Sequence, residues 1–157
     1  MKKINLELID KLCLEAKNLP RRRKNHNFHE DLADPFQRLL NAVEPGTYFQ
    51  PHKHENPDKR EMFILLRGKA LVITFNNKGD IADYMFLDPQ KGSYGAEIPA
   101  RVWHTIIILE SNTVIFESKD GPYEPLSDKN FASWAPAEGD EYCQAYNARL
   151  LELCGAG

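Results

Sequence analysis

The chain has 157 residues, 27% of them charged and 42% hydrophobic, with a formal net charge of −3. That length forms one domain able to bury about two-thirds of its unfolded surface, and the acidic balance excludes nucleic acid as the main partner, because phosphate binding calls for a basic excess. Glu7, Asp10 and Glu15 interrupt any apolar leader behind Met1-Lys2-Lys3, and no apolar run approaches membrane-spanning length, so neither export nor a membrane partner is expected.

At the N-terminus Leu6, Ile9, Leu12, Cys13 and Ala16 recur at three- and four-residue steps, which predicts an amphipathic helix over 6–18, capped by Asn5 and ended by Pro20. The basic run Arg21-Arg22-Arg23-Lys24 and the polar Asn25-His26-Asn27-Phe28-His29 hold too few apolar residues for core. Composition reads them as a solvated loop, and the sharper alternative is an anion site. Candidate strands follow at 36–41 and 48–54, split by the turn Glu44-Pro45-Gly46, then at 62–66 and 70–75 around Arg67-Gly68-Lys69. Asn76 to Asp80 turns into 81–87, Asp88 to Gly92 is a further turn, and 96–98, 104–109 and 114–119 complete the series. Short strands at such close spacing predict an all-β barrel or sandwich. From Lys119 to Glu138 the chain is rich in Pro, Asp and aromatics without periodicity, as an ordered loop wrapping the barrel would be. Asp140 is placed to cap a closing helix over 141–153 with the apolar stripe Cys143, Tyr146, Leu150 and Leu153. The resulting division is a single domain, 1–157: N-terminal helix and basic segment 1–35, barrel 36–122, wrapping tail and C-terminal helix 123–157. Three widely spaced cysteines, Cys13, Cys143 and Cys154, suit apolar fillers in a reducing, cytoplasmic setting better than a disulfide framework.

The chemistry concentrates in four residues. Side chains two apart on a strand share a face, so His52 and His54 can aim at one point, with Glu61 arriving on the returning strand and His104 on a facing one. A single histidine is more often a core residue satisfied by hydrogen bonds; a His-x-His pair with a further His and a carboxylate reverses that preference toward a metal site. His26 and His29 have no such constellation. Strand parity puts Tyr48 and Gln50 with the histidine pair, Phe63 and Leu65 with Glu61, and Ile106 and Ile108 with His104, giving a pocket polar at its mouth and apolar below. Imidazole and carboxylate donors suit Zn, Mn, Fe, Co, Ni and Cu alike. Glu55 and Asp58 compete with Glu61 for the carboxylate position. Tyr48, Glu97, Glu117 and Tyr123 are the candidate catalytic acids or bases.

Gly46, His52, His54, Glu61 and Gly68 resemble the first motif of the cupin superfamily, and Pro99 with His104 resembles the second. Six residues separate His54 from Glu61 where the family has three or four, and Arg101 stands where it has glycine. Longer pieces, Pro20 to His29, Gln37 to Gly46, Lys119 to Pro125 and Phe131 to Glu138, resemble the WbuC-type cupin-fold metalloproteins associated with bacterial surface-polysaccharide gene clusters. The resemblance implies a small cupin barrel, a double-stranded β-helix or jelly roll, with a helix at each end. It also implies one divalent transition metal ion held by His52, His54, Glu61 and His104, and a homodimer that covers exposed sheet edges. The function implied is a metal-dependent enzyme of isomerase, epimerase or lyase type on a small sugar-type substrate. A non-catalytic sugar-binding cupin and an iron-dependent dioxygenase are the alternatives. On the anion-site reading Arg21, Arg22 and Arg23 hold an anionic group of that sugar, while Asn25, Asn27, His29, Tyr48 and Gln50 contact its hydroxyls.

Overall fold

A computed structural model describes residues 1–124 and 129–156. Helix α1 spans Leu6–Asn18, with Asn5 accepting the Leu8 amide at 3.0 Å as its cap. Ten strands follow: β1 (Arg23–Asn27), β2 (Phe36–Val43), β3 (His52–Lys53), β4 (Glu61–Arg67), β5 (Ala70–Phe75), β6 (Ile81–Leu87), β7 (Gly95–Ile98), β8 (Trp103–Ile108), β9 (Thr113–Asp120) and β10 (Asn130–Phe131). Helix α2, Cys143–Leu153, closes the chain. The strands form two five-stranded antiparallel sheets, one in the order β1-β2-β9-β4-β7 and the other in the order β10-β3-β8-β5-β6.

The core lies between the sheets. Phe63 and Leu65 of β4, Val72 of β5, Ile106 and Ile108 of β8 and Ile115 of β9 meet there, as strand parity predicts. Central strands are apolar on both faces because each sheet also carries a helix outside. Ile9, Leu12, Cys13 and Ala16 of α1 pack on Leu40, Ala42 and Val114, each large side chain contributing about 1.5–3 kcal/mol on burial. Leu150 and Cys154 at the C-terminal end pack on Leu71, Ile73, Phe75 and Ile107. Gly68, in the β4–β5 turn, has φ +85°, and a Cβ there would sit 2.1 Å from Thr113 Oγ1, so both conformation and space demand glycine.

Three expectations are corrected. Where composition predicts a solvated loop, Arg23–Asn27 is an edge strand paired with β2, Asn25 opposite Asn41 and Asn27 opposite Leu39. Its polar residues are compatible with a strand because one face turns to a cavity and the other to α1, where Lys24 reaches Glu15 at 3.1 Å. Of the strand expected over 48–54 only His52–Lys53 forms; Pro51 has no amide to donate, and the carbonyls of Tyr48 and Phe49 accept from Arg23 (2.9 Å) and Thr105 Oγ1 (2.6 Å). At α2 Cys143 and Leu150 are buried and Tyr146 packs half-buried beside them as predicted, whereas Asn147 is buried and Leu153 exposed; the helix begins two residues later than predicted, after a turn in which Asp140 accepts the Tyr142 amide. The tail does cross the barrel: Ala132 N–H donates to Pro51 O at 2.9 Å, and Trp134 lies against Phe75 and Trp103. Residues 125–128 of the expected wrapping segment lie outside the described residues. Among the described residues no helix is long and apolar enough to cross a membrane.

Candidate metal centre

Strand β3 and strand β8 place His52 directly opposite His104, and β4 brings Glu61 from the facing sheet. One donor atom from each of His52, His54, Glu61 and His104 lies within 4.8 Å of the others, and all four residues are buried. Donors bound at about 2.1 Å to one ion stand roughly 3.0–4.2 Å apart, so modest rotamer adjustment brings the set onto a single cation.

Hydrogen bonding outside the cluster fixes which nitrogen faces in. His52 Nδ1 lies 2.9 Å from Gln50 O and His104 Nδ1 lies 2.9 Å from Val102 O. Each Nδ1 must therefore carry the proton, leaving Nε2 with its lone pair toward the cluster, the orientation usual for metal-bound imidazole. His104 Nε2 is 3.0 Å from Glu61 Oε2 and His54 Nε2 is 3.5 Å from the same oxygen. A lone pair facing a carboxylate oxygen at 3.0 Å is repulsive unless a proton or a metal ion lies between them. His52 Nε2 is buried without a hydrogen-bond partner, an arrangement that costs free energy unless the atom is coordinated. Burial, aided by the charge of Lys129 and the neighbouring His104 ring, holds His52 well below its ordinary range and keeps that lone pair available. For Glu61 burial alone pushes the pKa up, but the facing His104 and His54 rings and the charge of Lys119 prevail and hold it well below the usual carboxylate range. The donor set fits a divalent cation.

The two competing carboxylates are elsewhere. Asp58 is bound by Arg101 Nε at 2.9 Å and Glu55 by Lys53. Arg101 has φ +68°, so the position filled by glycine in the cupin motif keeps its left-handed backbone with an arginine in place, and its amide donates to His54 O at 3.0 Å.

Beside the cluster opens a cavity of about 360 Å³, at the small end of the range for small-ligand pockets. One wall is the inner face of the first sheet. There Lys119 lies opposite Gln37 and Glu61, Glu117 opposite Leu39 and Phe63, and Asn25 opposite Asn41. Asn27, His29, Phe49, Tyr123 and Lys129 add to the lining, and Arg21 and Arg23 reach its rim. Burial, then repulsion from Glu61 and the hydrogen bond the two carboxyls share, push Glu117 up to about 8 despite Lys119 and Lys129. His29 Nδ1 accepts the Arg38 amide at 3.1 Å.

The cavity thus gathers Arg21, Arg23, Asn25, Asn27, His29, Glu117 and Tyr123 from the sequence-derived candidates, and four others fall outside it. Arg22 has φ +53° and turns to Pro45 O at 3.1 Å. Tyr48 sends its hydroxyl to Pro136 O at 2.7 Å, Gln50 donates to Ala132 O at 3.2 Å, and Phe49 lines the cavity between them, because 48–51 lacks strand parity. Glu97 is exposed on β7. Lys119, Asn41 and Gln37 were missed; parity counted along β9 from Glu117 reaches Lys119, whereas Lys129 sits on an aperiodic tail with no signal of its own.

Two facing antiparallel sheets around a buried three-histidine, one-carboxylate cluster define a cupin fold. Solved structures of similar fold include the capsular polysaccharide assembling protein CapF from Staphylococcus aureus, with 23% identity, TM-score 0.60 and coverage of 73% of this chain and 33% of that chain. KdgF from Halomonas sp. has 14% identity, TM-score 0.52 and coverage of 68% and 85%. A cupin 2 domain-containing protein from Halorhodospira halophila has 18% identity, TM-score 0.51 and coverage of 84% and 80%. At these identities the likeness is one of fold, and the chain spans about a third of the length of CapF. No curated protein matches the chain in sequence. The chain belongs to the DUF6016 family, described as a domain of unknown function, whose profile matches residues 4–87.

Proposed function

We propose that the protein is a mononuclear metal-dependent enzyme that transfers a proton on a small, anionic, sugar-type substrate, with Glu117 as the acid and base. The observation that carries this is the position of Glu117, on the cavity wall and hydrogen-bonded to Glu61 of the metal-fit cluster. His52, His54, Glu61 and His104 would hold a divalent cation, which when bound would supply Lewis acidity toward a carbonyl or hydroxyl oxygen of the substrate. Glu117 gives or takes the proton at the neighbouring atom, as isomerase, epimerase or lyase chemistry requires. Phe63, Ile106 and Ile115 exclude water behind the reacting centre, while Asn25 and Asn27 are placed to bond hydroxyls. An anionic substrate is supported by charge: among the described residues Arg21, Arg23, Lys119 and Lys129 line the cavity with Glu61 and Glu117, and Glu138 meets the two arginines from outside. A role in surface-polysaccharide metabolism is supported by the WbuC-type sequence pieces and by the fold likeness to CapF, and a cytoplasmic setting by three free, buried cysteines.

The test is metal-loaded protein incubated in D2O with hexose phosphates, uronic acids, nucleotide sugars and their neutral parents, followed by proton NMR. Exchange or conversion of an anionic member, cut at least about 100-fold in Glu117→Gln with its metal retained, is expected. Binding without exchange for every compound would replace the enzyme by a non-catalytic binding protein.

A further inference from the structure

At the rim of the cavity one carboxylate is gripped by two guanidinium groups. Arg21 donates from Nε and Nη2 to the two oxygens of Glu138, both at 2.7 Å, and Arg23 Nη2 donates to the same two oxygens, both at 2.9 Å. Arg23 is itself held: Nη1 bonds Tyr48 O at 2.9 Å, and the guanidinium lies 4.6 Å from the centre of the Phe49 ring. Arg21, Arg23 and Phe49 line the cavity, whereas Glu138 does not. The carboxylate therefore closes the clasp from outside, on a side chain 39% exposed.

Holding the tail down does not require this contact. Tyr48 hydroxyl to Pro136 O, Gln50 to Ala132 O, Ala132 N–H to Pro51 O and the Trp134 ring against Phe75 and Trp103 already anchor it. Two guanidinium charges meet one carboxylate, so among the described residues one unit of positive charge stays uncompensated beside a cavity that also holds Lys119 and Lys129. Exchanging Glu138 for another carboxylate leaves that charge unbalanced. A phosphate monoester dianion neutralises both guanidiniums and offers three oxygens to their forked donors.

We propose that Glu138 is an internal stand-in for the ligand: it keeps the Arg21–Arg23 clasp assembled in the free protein and is displaced by the phosphate of a phosphate monoester entering the cavity. This rests on the cavity being the substrate site and narrows the anion to phosphate.

The test uses metal-free protein, so that the probe has no ion to coordinate. Inorganic phosphate at about pH 8, where it is dianionic, is titrated calorimetrically beside acetate at equal ionic strength, into wild type, Glu138→Gln and the exposed-site variant Arg21→Ala. Phosphate is expected to bind more tightly than acetate, about five- to tenfold more tightly still in Glu138→Gln because the competing carboxylate is gone, and at least about tenfold more weakly in Arg21→Ala. Phosphate is also expected to raise amide exchange at 137–139 in wild type. Unchanged or weakened phosphate binding in Glu138→Gln, or acetate binding as well as phosphate, overturns the proposal. Metal titration of the same variants separates the outcomes: intact metal binding with no phosphate gain removes the clasp alone, and a phosphate gain without turnover on any substrate removes only the catalytic reading.

Discussion

Glu117 and Glu61 share one end of the cavity and are shifted in opposite directions. Glu117 is pushed up to about 8 by burial and by Glu61, whereas an unfolded chain releases that proton near the ordinary carboxyl value of about 4.3. Between those two values the native state holds a proton that the unfolded state has lost, so stability falls as pH rises through the window. Glu61 and His52, both lowered, act the other way: the stability they contribute is present above their unfolded values and is lost as pH falls through the folded ones. Urea melts of metal-free protein should therefore show wild type and Glu117→Gln similar near pH 5, with the variant ahead near pH 8 by an amount on the order of a few kcal/mol. Parallel profiles across that range would mean that Glu117 is not protonated in the native state. Loading the cluster adds positive charge beside Glu61 and draws Glu117 down, so the wild-type loss at high pH should shrink when metal is present.

At the scale of elements the turn between β7 and β8 is the informative one. Arg101 occupies a left-handed position with φ +68°, a conformation that disfavours any side chain but is tied to the metal site through its amide and His54 O. Arg101→Gly keeps the amide and removes the Cβ, so it should raise the thermal midpoint by about 2–4 °C without altering metal affinity. A fall in the midpoint would show that the Asp58 contact outweighs backbone strain. Much of this level is legible in the chain. The alternation of β4 places Glu61 and the two-residue parity of β8 places His104, and Asn5 marks the start of α1. Strand β1 escapes notice because both its faces are polar, one toward the cavity and one toward α1, and no hydrophobic period exists to reveal it. Parity through 48–51 fails because side chains of Arg23 and Thr105, not a neighbouring strand, take the carbonyls there. Asn147 is buried in α2, where an apolar stripe does not predict it, because its amide reaches Thr47 O at 3.4 Å, while Leu153 of the predicted stripe is exposed.

At the scale of the whole molecule, β6 is an edge strand that leaves Tyr84, Met85 and Phe86 exposed along its length. An apolar edge of that kind is a pairing surface, and we propose it as the seam of a homodimer. Light scattering should give twice the 18.0 kDa chain mass, and Met85→Lys should give monomer with its metal content unchanged. A wild-type monomer throughout the micromolar range would contradict this. Two sheets closing on one another place ligands from β3, β4 and β8 around a single point, so the metal site depends on the entire fold while the proposed seam does not touch it. Elemental analysis of protein purified without a metal-affinity tag should find one divalent ion per chain, retained in Glu55→Ala and Asp58→Ala and weakened at least about tenfold in His104→Ala. Less than about a tenth of an equivalent in wild type, even after soaking with Zn, Mn, Fe and Ni, would contradict it.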